Sequence, residues 1–400
     1  MTRAYDVVVY GATGFTGRLV AEYLARRVGA GKRVRWAIAG RNRGKLEDVR
    51  RGLAAIDPAC GSLETIEASA DDAASLERMA RSATVVLSTV GPYVLYGEPL
   101  VRACVEARTD YVDITGEPDF VNRVIAEHGE AARDRGVRLV SCCGFDSVPH
   151  DLGVLFTVRE LPRNEPILIE GFVRASGSVS GGTWRSLLLI MSGHKIGLDP
   201  EPGGSGATED TPSSARRVGG VKPHVRFEPV VDGWVVPLPT IDPQIVLRSA
   251  RDLEEYGPDF RYGHYARVSS LAKLAGLAAG VGSIYALANI TPARELLLRA
   301  KSSGEGPSEE RRARSRFTLT FIGVAERSGK RVVTTVSGGD PGYDETAKIV
   351  AESALCLAFD REQLPARAGA LTPAVAMGDA LLVRLREAGI RFEVKERGER

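Results

Sequence analysis

The sequence predicts an α/β fold: a doubly wound parallel sheet carrying an inserted second domain of α+β type, with a mixed or antiparallel sheet. Three observations lead there. Short, continuously apolar runs alternate with helical patterns through the first 150 residues, which is how parallel strands covered on both faces read. A glycine-rich turn joins the first of these runs to the first helix. After Pro149 the runs lengthen and alternate apolar with polar residues, as strands with one wet face do.

The elements follow in order. "YDVVVYGATG" is an apolar run stopped by glycine, and "GRLVAEYLARRV" has a helical period. "VRWAIAGR" is a second buried strand before the polar helix "NRGKLEDVRRGL". "SLETIEASADD" holds a third strand and "AASLERMARSA" a helix, and "TVVLSTVGPY" is a fourth strand ahead of the helix "GEPLVRACVEAR". "DYVDITGE", the helix "PDFVNRVIAEHGEAARDRG" and the strand "VRLVSCCGFDSVP" complete the alternation. Residues 1–150 therefore form the first domain and 151–340 the second, a substrate or dimerisation domain. The helices "DETAKIVAESALCLAF" and "PAVAMGDALLVRLREAG", within 341–400, return to pack on the first domain. Segments 199–220 and 301–315 are rich in Gly, Pro, Ser and charge and predict mobile loops. "RFTLTFIGVAE" and "KRVVTTVSGG" read as a hairpin turning near "RSG".

Composition narrows the function. The 53 basic and 51 acidic side chains leave a net charge of +2, so no global field draws nucleic acid or anionic membrane. The five cysteines are odd in number and scattered. They predict reduced, buried thiols in a cytoplasmic protein and no metal site. Leu271–Ile290 is the least polar stretch and about as long as a membrane span, but it carries Lys273 and is diluted by Gly, Ala and Ser. It reads as a buried helix, a homodimer face or a peripheral contact with lipid. Ser180, Gly181, Gly182 and Thr183 read as the cap of a helix beginning near Trp184.

The first turn carries the strongest chemical signal. In "VVVYGATGFTGRLV" the glycines are Gly11, Gly14 and Gly17, with Thr13, Phe15 and Thr16 between them. Gly11 permits the tight turn, Gly14 lets a pyrophosphate approach the backbone, and Gly17 permits close helix–strand packing. The helix opening at Phe15 offers free N–H groups and a positive dipole end to the phosphates. The second strand ends in Gly40-Arg41-Asn42-Arg43, without the carboxylate that would bind NAD ribose hydroxyls. Arg41 and Arg43 instead suit a 2′-phosphate, so the expected coenzyme is NADP(H), with Asn42 beside it. Asp71 or Asp72 follows the third strand on the adenine side. Thr89, Val90, Gly91 and Pro92 end the fourth strand, where they would run along the nicotinamide ribose. Tyr93 and Tyr96 are either catalytic or half-buried loop packing.

"YGATGFTGRL", "AIAGRN", "VVLSTVGPYVLYGEPLVRAC", "DYVDITGE", "CCGFDSVPHDLG" and "LTPAVAMGDALL" together resemble the saccharopine-dehydrogenase-like oxidoreductases. Within them the chain is most similar to the trans-acting enoyl reductase branch of actinobacterial polyketide–lipid biosynthesis. The motifs run from the first strand to the last helix. The resemblance implies a Rossmann-type domain with an inserted α+β domain, NADPH, and reduction of a carbon–carbon double bond in an acyl chain. That chain would be held on the carrier protein of a separate polyketide synthase. Relatives also leave room for a saccharopine-type amino-acid dehydrogenase and for a non-catalytic lipid-associated protein.

Reduction of a conjugated thioester needs a donor for the enolate charge and a proton for the α-carbon. Tyr93, Ser147 and Asp146 are the candidate catalytic residues, the last two in "GFDSVPHD" at the exit of the sixth strand. His150 is a candidate proton donor or a hinge residue. The cluster Arg294, Arg299, Lys301, Arg311, Arg312, Arg314 and Arg316 is either a docking patch for an acidic carrier protein or a solvated stretch.

Overall fold

The computed structural model describes residues 3–30, 33–176, 216–289 and 306–399. Six parallel strands arise from the first 150 residues: β1 (Tyr5–Tyr10), β2 (Trp36–Gly40), β3 (Glu64–Glu67), β4 (Ala83–Ser88), β5 (Asp110–Asp113) and β6 (Arg138–Val140). They lie in the order 6-5-4-1-2-3. The chain order thus reverses between β1 and β4, the point where such sheets bind ligands. Helices α1 (Phe15–Val28), α2 (Arg43–Ala54), α3 (Ala73–Ser82), α4 (Tyr93–Tyr96), α5 (Glu98–Ala107) and α6 (Pro118–Asp134) connect them, and α7 (Val148–Val158) leads out.

The period of two sorts the strands into two cores. Val8, Tyr10, Ala37, Ala39 and Val86 pack with α3, α5 and α6 on one face. Val7, Val9, Ile38, Val85 and Leu87 point to the other, beneath α1 and a helix from the far end of the chain.

The second sheet is built from β7 (Ile167–Ala175), β8 (Arg217–Gly220), β9 (Arg226–Glu228), β10 (Gly233–Pro237), β11 (Asp259–Val268), β12 (Phe317–Ala325) and β13 (Lys330–Gly338). β12 and β13 form the expected antiparallel hairpin around Arg327, Ser328 and Gly329. The sheet as a whole is mixed, because β11 runs parallel to both β7 and β8. Helix α8 (Asp242–Asp252) packs on β11 and α7 on β12 and β13.

Two segments expected as loops contain regular elements among their described residues. Residues 217–220 form β8, whose backbone pairs with Asp259–Tyr262. The rest of 199–220 lies outside the described residues, apart from Arg216. That side chain donates to the carbonyls of Gly257, Ala250 and Leu253. Within 301–315, Glu309–Arg314 is a helix, α10, capped by Ser308. Its acidic first turn and basic last turn complement the helix dipole, which overrides the loop-like composition. α9 (Leu271–Ala288), between α8 and α10 in the chain, holds Tyr285 and Leu287 exposed rather than buried. No helix among the described residues is long and apolar enough to cross a membrane. The proposed cap at Ser180–Thr183, and Arg294, Arg299 and Lys301, lie outside the described residues.

The chain's end returns to both sheets. α11 (Asp344–Phe359) packs on α1, β1, β4 and β5, and α12 (Pro373–Glu387) on α11 and α7. A short strand between them, β14 (Gly369–Leu371), pairs with β6 and becomes the seventh strand of the first sheet. Arg391–Glu399, expected among the returning helices, is instead β15, which pairs antiparallel with β13 and covers that edge. The fully buried Glu352 carboxylate ties the helices together. It accepts from Tyr23 Oη at 2.6 Å, Arg27 Nε at 3.0 Å and Arg384 Nη1 at 3.2 Å. All five cysteines are unpaired and buried.

Candidate active site

The turn after β1 is shaped by contacts that exclude side chains. Gly11 sits at φ +95, and a Cβ there would lie 2.6 Å from Thr89 Oγ1 and 2.8 Å from Val90 Cγ2. At Gly17 a Cβ would lie 2.2 Å from the Gly11 carbonyl oxygen, so the first turn of α1 rides directly on the backbone of the loop. Gly14 differs: a Cβ would meet only the Gly11 carbonyl oxygen, at 3.3 Å, and the outer side of the turn is open. Gly14 is also the N-cap of α1, with no side-chain cap and no acidic residue in the first turn. An anion suits that end of the helix. Thr13 faces Gly40 at the end of β2, where a Cβ would lie 3.6 Å from its Oγ1.

Beyond β2 and β3 opens a cleft of about 300 Å³ lined by Arg41, Glu67, Ala68, Ser69, Asp72, Ser75 and Arg78. Arg41 is exposed there. Asn42 caps α2, accepting from Lys45 N at 2.9 Å, and Asp72 caps α3 in the same way through Ser75 N. Asp71 is exposed and is not among the cleft residues.

The ends of β4, β5 and β6 line the other half of the site. Thr89 donates from its backbone N to Tyr10 O at 2.9 Å, and its side chain packs against Gly11 and Gly17. The Gly91–Pro92 peptide bond is cis, and the buried Glu117 carboxylate accepts from the N–H groups of Tyr93 and Val94 at 3.1 and 2.8 Å. Tyr93 lies in the core of the first sheet, its hydroxyl donating to Ser88 O at 3.0 Å and its ring against Phe120. The sequence could not distinguish this packing role from a catalytic one. Asp113 binds the β5 and β6 exits together, accepting from Thr115 N, Cys142 N and Ser141 Oγ.

Asp146 and Ser147 diverge. Ser147 is fully buried beside the Cys142 thiol. Asp146 reaches solvent while protein crowds its carboxyl. That desolvation and the negative charge of Asp242 raise its pKa to about 6, against a smaller pull from His150. A Cβ on Gly116, at the β5 exit, would lie 3.7 Å from Asp146 Oδ2. Behind it sits a buried cluster absent from the sequence reading apart from His150. His150 Nδ1 lies 3.0 Å from Asp242 Oδ1, and His264 Nε2 lies 3.6 Å from Asp242 Oδ2. Tyr262 Oη is 3.1 Å from His264 Nδ1, and Thr240 donates to Asp242. Burial presses upward on the Asp242 carboxyl, but His150, His264 and Thr240 together hold it below its usual range. Burial lowers His264 to about 4 despite the attraction of Asp242. The ligand atoms of His150, Asp242 and His264 lie within 4.8 Å of one another, a spacing that one cation could bridge.

The chain is similar to proteins of known families. Residues 7–140 match the family described as the saccharopine dehydrogenase NADP binding domain. A Mycobacterium tuberculosis protein, named as a candidate trans-acting enoyl reductase, is 37% identical over 98% of this chain and 97% of its own. The trans-acting enoyl reductases of Mycobacterium leprae and Mycobacterium ulcerans are 35% and 34% identical, over 97% of both chains in each case. The chain belongs to the trans-acting enoyl reductase family. Saccharopine dehydrogenase (L-Glu forming) of Saccharomyces cerevisiae shares the fold, with a TM-score of 0.56 over 98% of this chain and 100% of its own at 12% identity.

This member of the trans-acting enoyl reductase family is an NADP-dependent oxidoreductase. The residues fit the coenzyme: an open glycine turn on an uncapped helix end, and an arginine where a ribose-binding carboxylate would stand. One further contact was not legible. The Phe15 ring, beside the turn, meets Tyr343 edge-on at 5.0 Å and lies 5.6 Å beneath the Arg312 guanidinium. Gly306 presses so closely that a Cβ there would lie 2.3 Å from the same ring. The segment before α10 thus rests on the coenzyme turn, and Arg312 is further held by Asp344 at 2.8 Å.

Proposed function

We propose that this oxidoreductase reduces the carbon–carbon double bond of an α,β-unsaturated acyl thioester. The observation that carries the reading is the 34–37% identity to trans-acting enoyl reductases across nearly the whole chain, which includes the second sheet as well as the coenzyme domain. When bound, NADPH supplies a hydride to the β-carbon of the conjugated thioester. The chain's own residues do the rest. Gly11, Gly14 and Gly17, with Phe15 and Thr16 on the first turn of α1, seat the pyrophosphate. Arg41 faces the 2′-phosphate. Thr89, Val90, Gly91 and Pro92 form the wall beside the nicotinamide ribose. Asp146 delivers a proton to the α-carbon as the enolate collapses, and takes another from water. Its carboxyl suits this role because, with a pKa of about 6, it holds a proton closer to neutrality than an ordinary aspartate does.

The acyl chain would arrive on the carrier protein of a polyketide synthase, with the exposed Arg311 and Arg314 of α10 offering charge to an acidic carrier. The exposed Tyr285 and Leu287 of α9 would meet the acyl chain, lipid or a second copy. The test is oxidation of NADPH by purified protein presented with enoyl thioesters, both free and carrier-bound. Turnover with these and none with glutamate–lysine adducts is expected. NADPH consumption only with amino-acid adducts would replace the reading.

A further inference from the structure

The cleft beyond β2 and β3 contains a cation that the reading above does not use. Arg78 lies on α3, one turn after Ser75, and both residues line the cleft with Arg41. Side chains on a helix lean back over the preceding turn. The guanidinium of Arg78 is therefore carried toward the first turn of α3 and the mouth where Arg41 stands.

Its neighbours make the point by contrast. On α2 and α3, Arg50, Arg51 and Arg81 pair with Glu47, Asp48 and Glu77 within one turn. Among the described residues neither Arg41 nor Arg78 has an ion-pair partner. Of the two carboxylates in the cleft, Asp72 is engaged in capping α3, and Glu67 is exposed to solvent at the end of β3. Ser69 and Ser75 are engaged too, with Ser69 N donating to Ser75 Oγ at 3.1 Å and locking α3 to the exit of β3. The wall that carries Arg78 is thus fixed to the sheet. Two guanidiniums from separate elements then face one cavity with their forks free, the arrangement that suits a phosphate dianion.

We infer that Arg78 is a second determinant of coenzyme choice, closing on the 2′-phosphate of NADP(H) from α3 while Arg41 holds it from β2. The inference rests on NADP(H) as the coenzyme and adds a residue from outside the β2 loop. It predicts a division of effects. Loss of Arg78 weakens the phosphorylated coenzyme and leaves the unphosphorylated one alone, because NADH offers that guanidinium no anion.

The test is calorimetric titration of the intact protein with NADPH and with NADH, for wild type, Arg78→Ala, Arg78→Lys, Arg41→Ala and the double alanine variant. Arg78→Ala should raise the Kd for NADPH on the order of 10- to 100-fold, as expected for one charge-assisted contact, with the Kd for NADH within about twofold. Arg78→Lys keeps the charge without the fork and should fall between. The salt dependence of NADPH binding should flatten in Arg78→Ala, since one screened ion pair has gone. An unchanged NADPH-to-NADH ratio in Arg78→Ala, or equal weakening of both coenzymes, overturns the inference. A wild-type protein that binds both forms equally overturns the coenzyme assignment itself, before any variant is compared.

Discussion

Replacing Gly17 with alanine probes how closely the coenzyme helix is seated. The added Cβ would lie 2.2 Å from the Gly11 carbonyl oxygen and 2.7 Å from both its carbon and Thr89 Oγ1. The first two are backbone atoms and cannot rotate aside. Since ordinary contact begins near 3.4 Å, α1 must retreat by roughly 1 Å. That retreat strains the packing of Val20, Ala21, Leu24 and Ala25, a cost of about 1–3 kcal/mol. It also withdraws the N–H groups of the first turn from the pyrophosphate, each worth about 1.5–3 kcal/mol to a charged partner. NADPH affinity should fall on the order of 100-fold. Gly14→Ala is the matched comparison. Its Cβ would meet only one atom, at 3.3 Å, so stability should change by about 1 kcal/mol or less. The methyl group would instead stand in the path of the pyrophosphate and weaken NADPH comparably. Urea unfolding and calorimetric titration separate the two. If Gly17→Ala keeps wild-type stability and binds NADPH within about twofold, the close seating of α1 has no energetic consequence and the reasoning fails.

Three further outcomes are expected. Asp146→Asn should lower kcat about 100- to 10,000-fold, and the decline of wild-type kcat as pH rises through about 6 should vanish in the variant; a persisting limb assigns the proton to another group. Tyr93→Phe should leave kcat unchanged and lower stability by about 1 kcal/mol, because its hydroxyl serves Ser88 O inside the core; a large loss of kcat would return Tyr93 to the chemistry. Burial raises the Asp151 carboxyl to about 7, so the folded state holds this proton more tightly than the unfolded state does. The resulting stability is present below about pH 4 and is lost as pH rises through about 7. Asp151→Asn, which can still accept from Ala374 N as Asp151 does, should therefore gain stability relative to wild type between about pH 5 and about pH 8 in urea unfolding. Greater relative loss at the higher pH would reverse the sign and refute it.

Local signals were legible and long-range assembly was not. The strand–turn–helix at Gly11, Gly14 and Gly17 is contiguous, so its geometry follows from residue type and spacing. Six apolar runs gave six parallel strands for the same reason. The seventh, Gly369–Leu371, has three residues and too little pattern to announce itself; it exists because β6 offers it an edge. Arg391–Glu399 alternates polar and apolar residues only at its start, and pairing with β13 rather than propensity makes it a strand. The site divides similarly. Asp146 was singled out because it lies in the short loop between β6 and α7. Asp242 and His264 join His150 only after β11 has folded beside β7 and carried α8 against α7. A signal for them existed only in retrospect: a histidine inside a buried strand, and an acidic first turn with no cation in sequence reach.

The return of the C-terminal segment bears on how such a protein can be divided. Cut after its sixth strand, the nucleotide-gripping portion would lose β14 from one margin and α11 from above Val85 and Leu87, leaving a bare oily plane and an open edge. It is therefore not a portable cassette that could be spliced between genes or expressed as a soluble fragment. Recombination that respects this architecture must exchange the middle of the polypeptide and leave both ends in place.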